Sequence, residues 1–412
     1  MSNRNFYRVL VLSVPFLVFS TVSMAQQSSG TSLMTKQSNA AGINVGLGVV
    51  TPSLDLKALH DDNLLDQPKG NELDTWGWAV SPGLAYELSD DVSKLTADWN
   101  LDAGYYDQSS TDDYVDNFLN AKYEYHPTDR FTGSISGAFK DTRDPRGTGR
   151  SESTGVIQAT PDRWHDFEVE GNMAYGLPDA TARVEGTVGY VTKRYDNNLS
   201  STFTRNRDDV YGSGRFFYRL APKTSLLLEG RAASYQYTLT AFGTPSLDST
   251  VYKFFGGVTW EATAKTTGTA KYGYSRKEFR SPGNPNQSGS SWDLAVRWSP
   301  RTYSVFDFTT YRRFEESTGI GDAIVQSRAG VRWTHAWNSR LSHSIGYDFT
   351  NDNYKGDTNR DDNTNALDLR VDYRFRRWLK FGAQYLYADR DSNDPQYRYR
   401  RNVIMFTVGA TL

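Results

Sequence analysis

The sequence contains no cysteine, and after residue 25 it contains no long apolar run. Without cysteine the chain has neither a disulfide framework nor a thiolate metal site. Without a run of about 18 apolar residues, that part of the chain has no helix of the kind that spans a bilayer. The net formal charge is only −2, so there is no basic footprint for nucleic acid and we expect no nucleic-acid partner.

The N-terminal residues have the pattern of a secretory signal peptide. Arg4 and Arg8 supply positive charge, Val9 to Phe19 is a short apolar run, and a Ser-Met-Ala cleavage pattern ends at Ala25. This pattern predicts a signal peptide over residues 1–25. The alternative is a membrane anchor, for which the run is too short. Residues 26–42 are rich in Ser and Gln at their start and predict a flexible periplasmic tail.

Low hydropathy occurs here together with many aromatic residues. The mean hydropathy is −0.63, whereas aromatic residues make up 14% of the chain and tyrosine (26) outnumbers phenylalanine (21). A membrane β-barrel explains both values, because only alternate residues face lipid and aromatic belts lie at the two interfaces.

Apolar and polar residues alternate with a period of two over much of the chain. In the last eleven residues Ile404, Phe406, Val408, Ala410 and Leu412 alternate with small or polar residues. Similar alternation covers residues 367–375 and 379–387, and a first strand is expected around residues 46–59. Such strands need one apolar face and one wet face.

Short turns alternate with long polar segments along the chain. Turn sequences occur near residues 90, 128, 179, 222, 265, 300, 338 and 377, roughly 40 residues apart. The long polar segments are Asp141 to Asp162, Asp196 to Asp209, Thr240 to Thr250, Arg280 to Ser291 and Asn351 to Asn363. We therefore predict an all-β, transmembrane, antiparallel up-and-down barrel over residues 43–412, with about 18 strands. A propeller is disfavoured because its repeats carry four strands each.

An even strand number places both termini in the periplasm, with the long loops outside the cell. The last strand then closes the ring against the first and leaves no free edge. Its apolar alternation resembles the terminal signal that the outer-membrane barrel assembly machinery recognises. The residues expected to carry that signal are Phe406, Val408, Ala410 and Leu412, the last standing where most such proteins have phenylalanine.

If the apolar face meets outer-membrane lipid, the polar face lines the interior. This interior carries mixed charges, and no N-terminal segment is long enough to form a plug domain. Such charges are either a solvated wall of cross-strand pairs or a polar track for a hydrophilic solute. The candidate lumen-lining residues are Arg215, Glu229, Arg231, Lys271, Arg297, Asp307, Arg313, Arg328, Arg332, Asp368, Arg370, Asp372 and Arg374.

No pattern in the chain predicts a catalytic, cofactor or metal site. None of the five histidines has an HExxH spacing, and GxSxG and phosphate-loop motifs are absent. His126 is expected in a short turn, and His335 and His343 flank another. An outer-membrane hydrolase would have to use His60, Asp61 and Asp62 in the first long loop, where an exposed loop or strand end is the simpler interpretation.

Several segments resemble a group of bacterial β-barrel porins. They are "LDLKALHDDNLLDQ", "SPGLAYELSDDVSKLTADWNLDAGYY", "DDYVDNFLNAKYEYHPTDRF" and "KDTRDPRGTG". These barrels are similar to those encoded with capsule and exopolysaccharide secretion systems of Gram-negative bacteria. The resemblance implies an outer-membrane exit for a polysaccharide in exopolysaccharide biosynthesis or biofilm formation, with a periplasmic polysaccharide-export protein as partner.

We therefore expect a conduit for a polysaccharide rather than an enzyme. A general or sugar-selective diffusion porin for small solutes is the first alternative function. The discriminating feature is the third long loop, Asp141 to Asp162, which narrows the channel if it folds inward and could gate a polymer exit. An outer-membrane hydrolase and a purely structural or adhesive barrel are also compatible with the fold.

Overall fold

The computed structural model describes residues 42–150, 152, 155–177, 179–263, 265–317, 319–356 and 358–412. The predicted signal peptide and nearly all of the predicted tail lie outside the described residues. Within them, a short strand β1 (Ile43–Val45) precedes eighteen long strands. Their bounds are β2 Gly48–Asp61, β3 Thr75–Ser89, β4 Ser93–Tyr106, β5 Tyr114–Thr128, β6 Phe131–Asp144, β7 Asp162–Tyr175, β8 Ala182–Tyr195, β9 Arg207–Ala221, β10 Thr224–Tyr237, β11 Ser249–Thr263, β12 Thr266–Phe279, β13 Gln287–Arg301, β14 Ser304–Glu316, β15 Ala323–Ala336, β16 Leu341–Lys355, β17 Asp361–Arg374, β18 Leu379–Ser392 and β19 Tyr399–Thr411. Among the described residues, a helical turn at Leu199–Thr202 and 3₁₀ turns at Ser110–Asp112, Phe203–Arg205 and Pro395–Tyr397 lie between strands.

The long strands form one closed antiparallel barrel. Each pairs with its neighbours in the sequence, and β19 returns to pair with β2 from Val403↔Asp61 to Thr411↔Ser53. β1 pairs with residues 48–50 of β2, just past the end of β19, and the Gly42 amide donates to the Leu412 carbonyl at 3.3 Å. The predicted fold class and the closure by the last strand are confirmed.

The period of two separates an apolar outer face from a polar interior. On β19 the side chain of Phe406 is 56% exposed on the outside, whereas Met405 beside it is 8% exposed and points inward. The cross-strand register keeps this alternation in phase around the ring, because directly paired residues share a face. Which side chains share a face can therefore be read from one strand to the next.

The two ends of the barrel differ, and we call them the short-turn end and the long-loop end. All eight predicted short turns lie between the paired strands at one end. Two of them are built by a side chain that closes the turn on its own backbone. Asp90 accepts from the amides of Val92 and Ser93, and Asn338 accepts from those of Arg340 and Leu341.

Nine connections form the long-loop end. We number them long loops 1 to 9, and their residues are 62–74, 107–113, 145–161, 196–206, 238–248, 280–286, 317–322, 356–360 and 393–398. The strands extend further into the predicted loops than their polarity indicated; β6, for example, runs to Asp144 and β9 begins at Arg207. Polar residues do not end these strands, because their side chains find charged partners inside the barrel.

The ends of the chain also differ from the predicted boundaries. The predicted first strand, around residues 46–59, corresponds to β2 (Gly48–Asp61), and a tight turn at Gly46, whose φ is 61°, joins it to the short strand β1. The last strand begins at Tyr399 rather than Asn402.

Aromatic side chains ring the outer surface near both ends, as predicted. At the short-turn end the exposed rings include Tyr303, Trp337 and Trp378, and near the long-loop end they include Trp78 and Tyr105. No helix in the described ranges is long and apolar enough to cross a membrane.

The main buried apolar cluster lies inside the barrel and not between layers. It comprises inward-facing residues of β8 to β11, with Leu247 and Phe314 packed against it: Val191, Tyr211, Ala233, Tyr235, Tyr237 and Val251. This tyrosine-rich cluster fills part of the interior near the long-loop end.

Candidate functional site

The thirteen predicted lumen-lining residues all lie at inward-facing positions of their strands. The assignment follows from the register, because directly paired residues share a face and the exposed apolar residues occupy the alternate positions of these strands. They come from β9, β10, β12, β13, β14, β15 and β17. They therefore form one continuous wall, which we call the mixed-charge wall. Whether solutes travel along it stays a prediction.

Most charges on the mixed-charge wall have partners across or along the strands. Arg297 contacts Asp307 at 2.6 Å, and Arg332 contacts Asp368 at 2.9 Å. Arg370 pairs with Asp372 two residues away at 2.8 Å. These pairs agree with the interpretation as a cross-strand paired wall.

Glu229 is the centre of the most enclosed group on this wall. Its carboxylate accepts from Arg231 and, at 3.1 Å, from Lys271, which also contacts Asp293 at 3.1 Å. Neighbouring strands supply the rest: Arg215 contacts Glu185 at 3.2 Å, Arg313 pairs with Glu315, and Arg328 contacts Asp348 at 2.9 Å. The arginines are thus held in place, which keeps a fixed pattern of charge along the lumen.

The opposite wall, formed by β4 to β7, is rich in carboxylates and was missed in the sequence analysis. Asp98, Glu168 and Glu170 line a recess of about 250 Å³ together with Asn120 and Lys122. The alternation of Glu168 and Glu170 with apolar neighbours was the available signal. The lumen therefore has an acidic side facing the arginine-rich side.

A tyrosine connects the acidic wall to the buried cluster. The hydroxyl of Tyr211 lies 2.7 Å from Glu168 and 2.8 Å from Glu170. Asn172 donates to Glu170 at 2.7 Å and accepts from Thr187 at the same distance. These contacts fix the carboxylates at defined positions on the lumen wall.

Long loop 1 turns into the barrel and is anchored there. Asn63 is fully buried; its side-chain amide donates to the carbonyls of Gln67 and Arg400, both at 2.8 Å. Arg401 of β19 holds the two carboxylates Asp61 and Asp66, with Nη1 3.1 Å from Asp66. Asp61, Asn63 and Asp66, all within the segment "LDLKALHDDNLLDQ", therefore anchor this loop.

Long loop 3 crosses the mouth of the barrel and rests on long loop 1. Its first half is tied to long loop 2, where Arg146 donates to both carboxylate oxygens of Asp112, at 2.6 and 3.0 Å between the closest pairs. This contact raises the pKa of Arg146. Gly147, with a φ of 88°, packs so closely on Leu65 that an added Cβ would lie 2.0 Å from its carbonyl oxygen. Only glycine fits there.

The second half of long loop 3 reaches the far side of the ring. Arg150 donates to the Ser201 carbonyl of long loop 4 at 2.8 Å. Glu152 forms an ion pair with Arg390 of β18, and its carbonyl accepts from Arg360 at 2.8 Å. The two charged groups of the ion pair are 8% and 11% exposed. The loop thus folds inward and narrows the mouth.

Arg360 is the residue on the far side of the ring that contacts the backbone of long loop 3. It lies on Asp362 with both groups nearly fully buried, and its guanidinium carbon is 3.4 Å from the centroid of the Tyr397 ring. Burial raises the pKa of Tyr397 and outweighs the opposing effect of this arginine. The Glu152 carbonyl of long loop 3 therefore accepts a hydrogen bond from a guanidinium that Asp362 and Tyr397 already hold in place.

The predicted hydrolase candidate is not assembled as one site. His60 and Asp61 are the last two residues of β2, so they lie at a strand end, as in the simpler interpretation, and not in the first long loop. Because they are adjacent in a strand, they point to opposite faces. His60 packs on Trp76 outside and contacts Asp74 at 3.0 Å, whereas Asp61 is bound to Arg401 inside.

The other histidines have structural surroundings. His126 lies within β5 and not in the turn where it was predicted. His335 and His343 flank a short turn as predicted, pair directly in register, and belong to an aromatic group with Trp333 and Trp337. No group of His, Asp and Glu in the described ranges has the geometry to hold a metal ion.

The predicted assembly-signal residues are on the outer face of β19 and its end. Phe406 and Val408 are 56% and 39% exposed, Ala410 is partly exposed, and Leu412 ends the chain after the strand. Their recognition by an assembly machinery stays a prediction.

A sequence model of one protein family, described as "Putative beta-barrel porin 2", matches residues 37–412. No curated protein matches the chain.

Solved structures with a similar shape include three outer-membrane proteins. OpdO of Pseudomonas aeruginosa shares 12% identity, with 88% of this chain and 97% of that chain covered and a TM-score of 0.47. OccAB4 of Acinetobacter baumannii shares 12% identity, with 88% and 98% covered and a TM-score of 0.48. The FrpB iron transporter from Neisseria meningitidis shares 10% identity, with 91% and 83% covered and a TM-score of 0.46. Structural similarities this weak do not indicate which solutes this chain would pass.

Proposed function

This chain belongs to the β-barrel porin family whose sequence model spans residues 37–412, and from that premise we propose that it is a channel for the diffusion of small hydrophilic solutes. A porin-like barrel of this kind is a protein of the Gram-negative outer membrane. In the proposed orientation the short turns and both termini face the periplasm, and the long-loop end faces the outside.

The inward position of long loop 3 carries the proposal. Its Glu152 is held by Arg390 and Arg360 on the far side of the ring, and long loop 1 lies beneath it at Leu65. The contacts at Glu152 and at Leu65 are both buried, so the loop is packed firmly against the barrel. A constriction of this kind limits passage by size and charge, which suits a diffusion porin.

The walls below the constriction support the same function. Arginines paired with carboxylates on one side face the carboxylates of β4 to β7 on the other. Such a lumen offers hydrogen bonds to a hydrated solute along its length, so the solute loses little hydration free energy on leaving bulk water. Candidate contacts for the solute are the thirteen predicted residues and the acidic recess.

Export of a polysaccharide, with a periplasmic export protein as partner, stays a prediction from the sequence resemblance. A polymer would need a continuous opening at the mouth, where long loops 1 and 3 are packed together. Export would therefore require displacement of the Glu152 contacts, whereas diffusion of a small solute would not.

The test is conductance of the purified barrel in a planar bilayer, combined with swelling of liposomes that contain it. We expect discrete current steps and a swelling rate that falls as the sugar grows from a pentose to a disaccharide. A barrel that gives no current steps would contradict the proposal. In the source bacterium, loss of surface polysaccharide with accumulation in the periplasm after gene deletion would instead favour export.

A further inference from the structure

A second cavity lies at the long-loop end, beside the covered mouth. Its volume is about 490 Å³, and residues from long loops 3, 4, 5, 6 and 7 line it. We call it the loop vestibule. This volume is within the range of about 300–1,000 Å³ that is typical of sites for small molecules. Because long loops 1 and 3 cover the centre of the mouth, the vestibule offers a solute a separate place to bind at this end.

The charge of the vestibule is mainly positive. Arg150 and Arg205 line it, and Asp322 is the only acidic residue among the lining residues that the structure describes. Both arginines donate to backbone carbonyls, Arg150 to Ser201 at 2.8 Å and Arg205 to Ser317 at 2.7 Å. The carbonyl that Arg205 contacts accepts a hydrogen bond but does not neutralise its guanidinium.

Arg205 has capacity left for an anion. Its Nε is buried and has no hydrogen-bond partner among the described residues. A buried polar group without a partner is costly, and the cost is larger when the group is charged. Burial accordingly lowers the pKa of Arg205, and no carboxylate contact offsets it. An incoming carboxylate would supply an anionic partner for this guanidinium, which has none among the groups that act on its pKa.

The remaining lining suits the body of a sugar. Phe203, Tyr237 and Leu247 give apolar surface, and Thr240 and Thr244 give hydroxyl groups. The apolar face of a pyranose ring can pack on such surface while its hydroxyls meet the polar groups.

The floor of the vestibule leads toward the lumen. Tyr237 is 9% exposed and its hydroxyl donates to Glu316 at 2.7 Å, and Glu316 pairs with Lys277. Tyr237 also belongs to the buried tyrosine-rich cluster inside the barrel. Tyr237 therefore lies between the vestibule and the barrel interior.

We propose that the loop vestibule recognises small acidic sugars, of the uronate class, at the outer end of the channel, with the carboxylate bound by Arg205 and Arg150. The inference rests on the proposed channel function and adds a substrate class to it.

Blockade of single-channel current tests the proposal. Galacturonate is added to the long-loop side of the full-length barrel in a planar bilayer, and neutral galactose is the comparison probe. We expect galacturonate to interrupt the current at lower concentration than galactose. In Arg205→Gln the galacturonate affinity should fall by about tenfold or more, while the galactose effect stays the same.

Two variants make the result specific. Arg205→Lys keeps the charge and should retain much of the galacturonate blockade, which also shows that the barrel still folds. Arg163→Gln removes an arginine that is 58% exposed and lies outside the vestibule; it should behave as the wild type.

The outcomes separate the two proposals. Unchanged galacturonate affinity in Arg205→Gln, or an equal loss in Arg163→Gln, would overturn the vestibule site while the channel function stands. A wild-type barrel that conducts but shows no preference for galacturonate would do the same. A wild-type barrel that gives no current would overturn the channel function itself.

Discussion

Glu152 of long loop 3 forms an ion pair with Arg390 of β18, although 238 residues separate them in the sequence. The pair joins two parts of the ring that have no strand contact with each other. Both side chains are almost enclosed, so water screens the pair weakly. The ion pair therefore adds a contact with a distant strand to the loop–loop contacts that position the constriction.

Replacement of Glu152 by Gln should widen the mouth. The variant leaves Arg390 without its anionic partner and removes the charge that holds the second half of long loop 3. We expect a larger and noisier single-channel conductance together with a lower thermal stability of the barrel, because Arg390 stays enclosed without an anionic partner.

Asp391→Asn is the matched control for that measurement. Asp391 pairs with Arg398 at the same end of the barrel, but its side chain is 76% exposed and the pair is screened by solvent. Its conductance should equal that of the wild type. Equal conductance in Glu152→Gln would mean that long loop 3 stays in place without the ion pair.

The strands of this barrel were predictable because their signal is local. Ile404, Phe406 and Val408 alternate with small residues, and the short turns recur at regular intervals. Those two patterns are sufficient to predict which face each residue occupies, the number of strands and the closure of the ring. The strand ends at the long-loop end were less predictable, since residues such as Asp209 and Asp362 are polar but buried in pairs.

The constriction was not predictable, because its contacts join segments that are far apart in the sequence. Nothing local distinguishes Glu152 from other loop carboxylates, and its partner Arg390 lies in another hairpin. The same holds for Asp61 and Asp66, whose pairing with Arg401 requires closure of the ring. Such pairs become visible only in the folded barrel, where the closed ring brings the distant segments together.

Replacement of Asp61 by Asn should destabilise the barrel strongly. Asp61 and Arg401 are 2% and 6% exposed, and Arg401 Nε lies 3.0 Å from the carboxylate. Removal of one partner of a buried pair costs about 3–5 kcal/mol, and the remaining contact of Arg401 with Asp66 offsets part of that cost. The measurement is urea unfolding followed by tryptophan fluorescence.

The double variant Asp61→Leu with Arg401→Met removes both charges of this pair and should recover part of that loss. The recovery is partial because Asp66 loses its contact with Arg401. If the single variant is as stable as the wild type, the pair does not anchor β19 to β2. An unrecovered double variant would assign the loss to packing and not to charge.

An arginine at position 406 should impair assembly, whereas one at position 407 should be tolerated. Phe406 is 56% exposed on the outer face, where an arginine near the middle of the membrane costs about 2–4 kcal/mol. Thr407 faces the lumen opposite Lys57. The amount of folded, heat-modifiable barrel in outer-membrane fractions measures both variants. Equal tolerance at the two positions would contradict the assignment of faces.

Asp66 should make the stability of the barrel depend on pH. Burial raises the pKa of Asp66 from 3.8 to about 6, although Arg401 and Arg390 oppose the increase. Between these two pH values the folded protein holds a proton that the unfolded chain has released, so stability falls as the pH rises. The stability that this group contributes is complete below about pH 4 and is lost as the pH passes about 6.

Asp66→Asn should therefore be about as stable as the wild type at pH 4 and more stable at pH 8, by an amount on the order of 3 kcal/mol at most. The check is urea unfolding at both pH values. Asp74→Asn is the control, since Asp74 lies in the same loop with its side chain 65% exposed, and its effect should not change with pH. An Asp66→Asn effect of the same size at pH 4 and pH 8 would show that Asp66 is already ionised at pH 4. The Arg401 contact would then outweigh burial, and long loop 1 would be held by a permanent ion pair.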